Sequence, residues 1–400
     1  MEREIPILYK RKEECCGCTA CYNICPKEAI QMKPDFEGFL YPFVNTERCV
    51  ECGLCDAVCP VQNPVSCDEL ERKSYVIRTK DSYVLDHSTS GGFITPLGQW
   101  VIKQNGVICG AAFNNDFKVV HKIVGGGTHS LSDLRGSKYV QSDLTDCFAT
   151  IKRYLEQGTT VCFVGTTCQV YGLKKFLRKK YETLVTVDLV CHGTPSPKLW
   201  DKYLEYQKNN YHSEIEDISF RNKTYGYHSG TMRIQFKNGK TYYGSARVDP
   251  MLRSFFKEIS SRPSCYQCYF KNLERCSDFT IYDCWHADQL VVGLADDDKG
   301  YTNLIVQSKK GEQVLEKIKQ DFDIYPVDTE RAIALDGIMV RNAAHPHPKR
   351  EEYYQDMDRD EVAEHIEKFI PITKKDHLIE WSKKIIYRVG IYRFLKKKMS

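Results

Sequence analysis

Beyond a polar connector around NPVSCDELERKS (63–74), apolar runs of strand length alternate with amphipathic stretches of helical period. That alternation predicts an α/β domain with a largely parallel sheet. GVICGAAF (106–113) reads as a strand, and DLTDCFATIKRYLEQG (143–158) as a capped helix closed by glycine. TTVCFVG (159–165) is a strand feeding a helix through TTCQVYGLKKFLRKK (166–180). LVTVDLVCHG (184–193) is another strand, followed by TPSPKLWDKYLEYQ (194–207), where Pro195 and Pro197 suit a helix start. RIQFKNGKTYYG (233–244) predicts a hairpin turning on Asn238-Gly239. HPHPKREEYYQDMDRD (345–360) reads as an exposed connector. In the tail, Leu378, Trp381, Ile385, Val389, Tyr392 and Leu395 recur at helical spacing with Lys and Arg between them.

At 400 residues the chain can bury a real core and divides into two or more domains. Its net charge of +4 is too small to imply nucleic acid. The charge is uneven, because residues 374–400 hold nine Lys/Arg against Asp376 and Glu380. Such a segment either lies on an anionic membrane surface or docks on the protein with a solvated basic face. No apolar run approaches 18 residues, so no spanning helix is expected. The 19 cysteines are odd in number, and no secretory-type apolar stretch follows Met1. The expected setting is therefore the reducing cytosol, at most in contact with the inner membrane face, and the thiols need a purpose other than disulfides.

That purpose is visible in a repeat. Cys15, Cys18, Cys21, Cys25 and Pro26 recur, displaced by 34 residues, as Cys49, Cys52, Cys55, Cys59 and Pro60. This is a duplicated C-x2-C-x2-C-x3-C-P, in which three thiolates wrap one 4Fe-4S cube and the fourth ligates the other. The inferred sets are Cys15, Cys18, Cys21 with Cys59, and Cys49, Cys52, Cys55 with Cys25; Cys16 is a spectator. Residues 10–65 resemble a bacterial-type two-cluster ferredoxin domain.

More thiols follow. Cys168 and Cys191 end two predicted strands, at the sheet edge where ligands bind. SCYQCYF adds Cys265 and Cys268. A third 4Fe-4S cluster on Cys168, Cys191, Cys265 and Cys268 is the preferred reading. Exchange of one ligand for Cys276 or Cys284, or a zinc site on Cys265, Cys268, Cys276 and Cys284, stays open. Cys109, Cys147 and Cys162 read as buried free thiols. STSGGF (88–93) and RGSKYVQSD (135–143) offer hydroxyls, glycines, Arg135, Lys138 and an aromatic ring, as a pyrophosphate and ring-stacking site requires; as solvated turns they would be unremarkable. GGGTH (125–129) reads as a turn.

STSGGFIT, RGSKYVQS, VGTTCQVYGLKKFL, VDLVCHGTPSPKLWDKYL, FRNKTYGY and RPSCYQCYFKNLERCSDFTIYDCWH occur in the order found in the family of coenzyme F-420 hydrogenase/dehydrogenase beta subunits, which the chain resembles over residues 74–340. That family includes the plant-type 7-hydroxymethyl chlorophyll a reductases. The resemblance implies an FAD contacted by Ser90, Gly91, Gly92, Gly136, Ser137, Lys138, Tyr139, Gln141, Ser142 and Gly165, with Arg135 alongside, and a cluster on the cysteines of TTCQ, CHG and CYQC. It also implies electron exchange between clusters and a two-electron substrate at the flavin. The version fused to a ferredoxin domain resembles bacterial proteins associated with surface-polysaccharide genes. Two departures stand out: Thr167 precedes Cys168 where the family often has proline, and YDCWH puts Tyr282 and His286 in place of glycines and inserts Cys284.

The expectation is therefore an α+β ferredoxin-like domain (1–70), an α/β flavin and iron-sulfur domain (71–345), and a connector with a basic amphipathic helix (346–400). His192 is the candidate to orient or protonate at the flavin, and Lys138 to offset negative charge there; each also has a plain packing or solvent reading. The expected partners are ferredoxin or another redox protein and an unidentified small substrate. An electron-transfer subunit without its own substrate, or a flavin-free cluster-bearing sensor, are the alternatives. The sequence leaves the substrate, the direction of electron flow and any use of the deazaflavin coenzyme unspecified.

Overall fold

The computed structural model describes residues 6–65, 67, 71–125 and 130–388. GGGTH beyond Gly125, and tail positions Val389, Tyr392 and Leu395, lie outside the described residues. The strands are β1 (Ile30–Pro34), β2 (Leu40–Val44), β3 (Lys73–Thr79), β4 (Val107–Phe113), β5 (Val119–Val124), β6 (Val161–Thr166), β7 (Leu184–Leu189), β8 (Ile215–Asn222), β9 (Thr231–Phe236), β10 (Thr241–Ser245), β11 (Phe279–Cys284), β12 (Tyr301–Val306) and β13 (Phe322–Val327).

Eight of them form one sheet in the order β13-β3-β12-β11-β7-β6-β4-β5. The block β11-β7-β6-β4 is parallel, and the other four pairings are antiparallel. The sheet is therefore mixed, and a largely parallel sheet describes its centre alone. The reason is connection length: parallel neighbours need a crossover, as the helix Thr167–Leu177 provides between β6 and β7, whereas only residues 114–118 join β4 to β5. The predicted hairpin forms between β9 and β10, with Gly239 at φ +80°, and β8 completes a second, three-stranded sheet. The helix after β7 is Pro197–Tyr211, started by Ser196, whose hydroxyl accepts from the amides of Lys198 and Leu199.

The ferredoxin-type segment is not a loose appendage. Phe39 and Tyr41 share a core with Trp200, Tyr203, Phe220, Met251, Tyr353 and Ile366. On the helix Thr167–Leu177, a Cβ at Gly172 would lie 2.7 Å from Cys18 Cβ and 2.9 Å from its sulfur. Only glycine allows that approach.

Residues 345–360 correct the expectation of an exposed connector. Arg350–Asp356 is a helix with Tyr353 and Tyr354 buried, because two tyrosines and Met357 complete the core just described. The last described helix, Lys374–Arg388, is also inverted relative to ordinary amphipathic packing. Glu380 is buried, bonded by Ser245 Oγ at 2.7 Å and paired with Lys383 at 3.0 Å, while Leu378 and Trp381 are more than 60% exposed. Among the described residues no helix is long and apolar enough to cross a membrane.

Candidate functional site: a row of thiol-lined cavities

Three cavities adjoin one another. The first is lined by Cys25, Cys49, Cys52 and Cys55, the second by Cys15, Cys16, Cys18, Cys21, Cys55 and Cys59, and the third by Cys16, Cys168, Cys191, Cys265 and Cys268. Cys55 belongs to the walls of the first two, and Cys16 and Val61 to those of the second and third. Their volumes are about 380, 420 and 700 Å3. Among the described residues no three His, Cys, Asp or Glu side chains converge as one bound metal ion requires.

In the third cavity the four thiols come from three separate places. Cys168 sits at the start of the helix after β6, where Thr166 caps and Gln169 Oε1 accepts from the Thr166 amide at 2.9 Å. Cys191 follows β7. Cys265 lies on a one-turn helix opened by Pro263, and Cys268 two residues past its end. Asp188, fully buried on β7, anchors these parts: it accepts from Thr167 Oγ1 at 3.2 Å, Thr280 Oγ1 at 2.8 Å, Arg275 and Ser277. Gly193 is required by close approach, since a Cβ there would lie 2.4 Å from Ser261 Oγ. Burial raises the thiols of Cys191, Cys265 and Cys268, the last to about 12, and mutual repulsion among them adds to it. Such crowding suits a cationic group that stabilises several thiolates together.

Cys276 and Cys284 do not line this cavity. Cys276 adjoins Cys67 and Tyr171, and burial pushes its thiol to about 12. Cys284 is buried beside Asp336, which also accepts from the amides of Trp285 and His286 and pairs with His286 Nδ1 at 2.6 Å. Cys109 and Cys147 are buried with their sulfurs 3.1 Å apart, and Cys162 is buried as expected.

The two predicted cradles meet. Thr89 Oγ1 accepts from the Ser137 amide at 2.8 Å, and Arg135 Nε donates to Thr95 Oγ1 at 3.2 Å. Ser90 and Gly91 are engaged by Thr302 Oγ1, at 2.8 and 2.9 Å. Ser142 Oγ accepts from Gln169 Nε2 at 2.9 Å beside Gly165, and Gln141 lines the third cavity. Lys138 donates to the carbonyls of Asp133, Arg135 and Gly136 at 3.1, 2.8 and 3.2 Å, and burial lowers its pKa to about 7. Its three donors are thus spent on its own loop, so it shapes the cradle.

His192 lies in the wall of the third cavity, with Nε2 on Glu258 and its ring edge-on to Phe255 at 5.4 Å. Two groups escaped sequence reasoning. Arg221, buried on β8, donates to Tyr139 Oη at 3.1 Å and Asp283 at 3.1 Å, while its other terminal nitrogen, Nη2, has no partner. Lys223 donates to the carbonyls of Leu85, Ser90 and Lys299, at 2.8, 2.9 and 2.6 Å. Neither had a signal beyond its place in FRNKTYGY. The unpartnered donor beside Tyr139 fits an acceptor-rich ligand such as a flavin or its phosphates.

Comparison with known proteins agrees with this geometry. Residues 158–330 match the family described as the C terminus of the coenzyme F420 hydrogenase/dehydrogenase beta subunit, and residues 14–63 match the 4Fe-4S dicluster domain. The chain is 25% identical over 341 residues to a coenzyme F420-dependent sulfite reductase of Methanocaldococcus jannaschii, covering 75% of this chain and 51% of that protein. It thus spans about half the length of that relative. It is 20% identical over 345 residues to a subunit of the F(420)H(2) dehydrogenase of Methanosarcina mazei, covering 82% and 88%. The ferredoxin 7Fe of Hydrogenibacillus schlegelii is 32% identical over 79 residues, 19% of this chain and 95% of that one. With Cys168, Cys191, Cys265 and Cys268 in one matched segment and the duplicated motif in the other, the chain belongs to the family of coenzyme F420 hydrogenase/dehydrogenase beta subunits, joined to a 4Fe-4S dicluster ferredoxin domain.

Proposed function

We propose that the chain is an iron-sulfur flavin oxidoreductase, moving electrons between a redox protein such as ferredoxin and a small two-electron substrate. The observation that carries this is the row of three cavities joined by the shared walls at Cys55 and Cys16. Cys15, Cys18, Cys21 and Cys59 would hold one 4Fe-4S cluster, Cys25, Cys49, Cys52 and Cys55 a second, and Cys168, Cys191, Cys265 and Cys268 a third. An FAD on the meeting cradles supplies the exchange between one-electron and two-electron chemistry.

The chain's own residues have separable tasks in this reading. Arg221 and Tyr139 grip the flavin, with Ser90, Gly91, Gly92 and Ser137 near its phosphates. Glu258 orients His192, which holds a proton at the wall of the third cavity. Exposed Cys52 marks the side open to a redox partner. The names of the relatives make the deazaflavin coenzyme one candidate for the two-electron partner, whereas the polysaccharide association rests on the sequence resemblance. The exposed Leu378 and Trp381, with Lys374, Lys375 and Lys384 nearby in sequence, favour contact of the last helix with an anionic membrane surface.

The test is anaerobic purification with iron, acid-labile sulfide and flavin measured per chain. About twelve irons and one FAD are expected for three cubes and a flavin. Iron without flavin would leave an electron-transfer subunit or a sensor.

A further inference from the structure

Arg262 opens the segment RPSCYQC, yet its head lies against the ferredoxin-type domain. The side chain is 1% exposed. Nε donates to the Cys15 carbonyl at 2.8 Å, Nη1 donates to Gln141 Oε1 at 3.0 Å, and Nη2 faces Cys15 Sγ at 3.6 Å. The Tyr41 ring centroid lies 4.0 Å from the guanidinium carbon. Among the described residues no carboxylate pairs with it.

A guanidinium taken out of water without an acid is costly, by several kcal/mol, unless other negative charge faces it. The groups facing Arg262 are Cys15, Cys16, Cys265 and Tyr41, three of them thiols in the walls of the second and third cavities.

We propose that Arg262 is the counter-ion of the cluster site formed by Cys15, Cys18, Cys21 and Cys59, and that it raises the reduction potential there above that of the site formed by Cys25, Cys49, Cys52 and Cys55. This rests on the cluster assignment above. A thiolate-ligated cube gains negative charge on reduction, so a fixed cation beside it, poorly screened by water, favours the reduced form. The duplicated motif itself makes no such distinction. The first cavity has exposed Lys27 and Glu51 in its wall, charges of opposite sign in contact with solvent. Arg262 therefore breaks the equivalence of the two halves, and makes the site beside the third cavity the better electron acceptor of the pair.

The test is an anaerobic redox titration of the full chain followed by electron paramagnetic resonance, with iron and sulfide measured on the same samples. In Arg262→Gln, one ferredoxin-type midpoint should fall and the other stay fixed. Gln141→Glu keeps the arginine but sets a carboxylate on Nη1; it should lower the same midpoint and covers the case in which Arg262→Gln fails to assemble. Unchanged midpoints in either assembled variant, or equal shifts of both, overturn the proposal. Wild-type protein lacking two ferredoxin-type signals would instead remove the cluster assignment beneath it.

Discussion

Arg350 grips Glu37 through both carboxylate oxygens, Nη1 to Oε1 at 3.0 Å and Nη2 to Oε2 at 2.7 Å, with both side chains buried. The same guanidinium donates to the Ser261 carbonyl from Nε at 3.0 Å and Nη2 at 2.8 Å. One side chain thus ties the ferredoxin hairpin, the approach to RPSC and the helix Arg350–Asp356.

Breaking that pair should cost more than a surface ion pair does, because the surviving partner stays buried. Glu37→Gln is expected to destabilise by about 3–5 kcal/mol, and Arg350→Met similarly. The double variant should cost less than the sum, since neither charge is then stranded. Anaerobic urea denaturation followed by circular dichroism measures this. A Glu37→Gln midpoint equal to wild type would show that the pair does not hold the two parts together.

His121 on β5 sets an acid limit. Its Nε2–H donates to the Val164 carbonyl at 3.2 Å, its ring stacks on Phe163, and its buried Nδ1 has no partner. Burial lowers its pKa to about 4, with Lys138 adding to the shift. Above about pH 6.5 the ring is neutral folded or unfolded, and nothing changes. Below that the unfolded chain takes a proton that the folded chain refuses, so stability falls as pH drops toward 4. The loss should reach about 2 kcal/mol by pH 5. Asp249, raised to about 6 by burial, acts in the opposite sense. Comparing wild type with His121→Gln cancels that contribution; parallel pH dependences of the two would refute the assignment.

The last described helix should bind anionic lipid through its outward apolar face. Its inward face is polar, with Ser245, Glu380 and Lys383 joined and Lys383 4.5 Å from the Tyr225 ring centroid. Leu378→Ser with Trp381→Ser should reduce partition onto phosphatidylglycerol vesicles several-fold and leave the thermal midpoint unchanged, because neither residue packs inside. Equal partition of both proteins would dismiss membrane contact.

The duplicated cysteine motif, β4, β6, β7 and their helices were legible because local spacing and apolar runs specify them. The antiparallel flank was not. β3 pairs with β12 and β13, more than 200 residues away, and nothing local in KSYVIRT names its neighbours. Arg221, Arg262 and Arg350 were hidden for a related reason: arginine is ordinarily a surface residue, and only tertiary partners reveal a buried one. Cys16 fell outside the cluster spacing, yet it stands in the wall between two cavities. The orientation of the last helix also turned on a single distant contact, Glu380 with Ser245.

The third cavity makes the sharpest division among the thiols. Cys191→Ala or Cys265→Ala should lower the iron content from about twelve to about eight per chain, the loss of one cube, with the ferredoxin-type signals retained. Cys276→Ala and Cys284→Ala should keep full iron, because Cys276 adjoins Tyr171 and Cys67 and Cys284 adjoins Asp336, away from the cavity wall. Their cost should instead appear as stability, since both are buried. Thr167→Ala probes the same cavity from behind: it removes a donor to Asp188 at 3.2 Å and an acceptor for Arg275 at 2.9 Å, beside Cys168. It should destabilise by about 1–3 kcal/mol and speed iron loss to a chelator, with initial iron content unchanged. Iron loss from Cys284→Ala equal to that from Cys265→Ala would move the ligand set toward β11 and overturn the assignment.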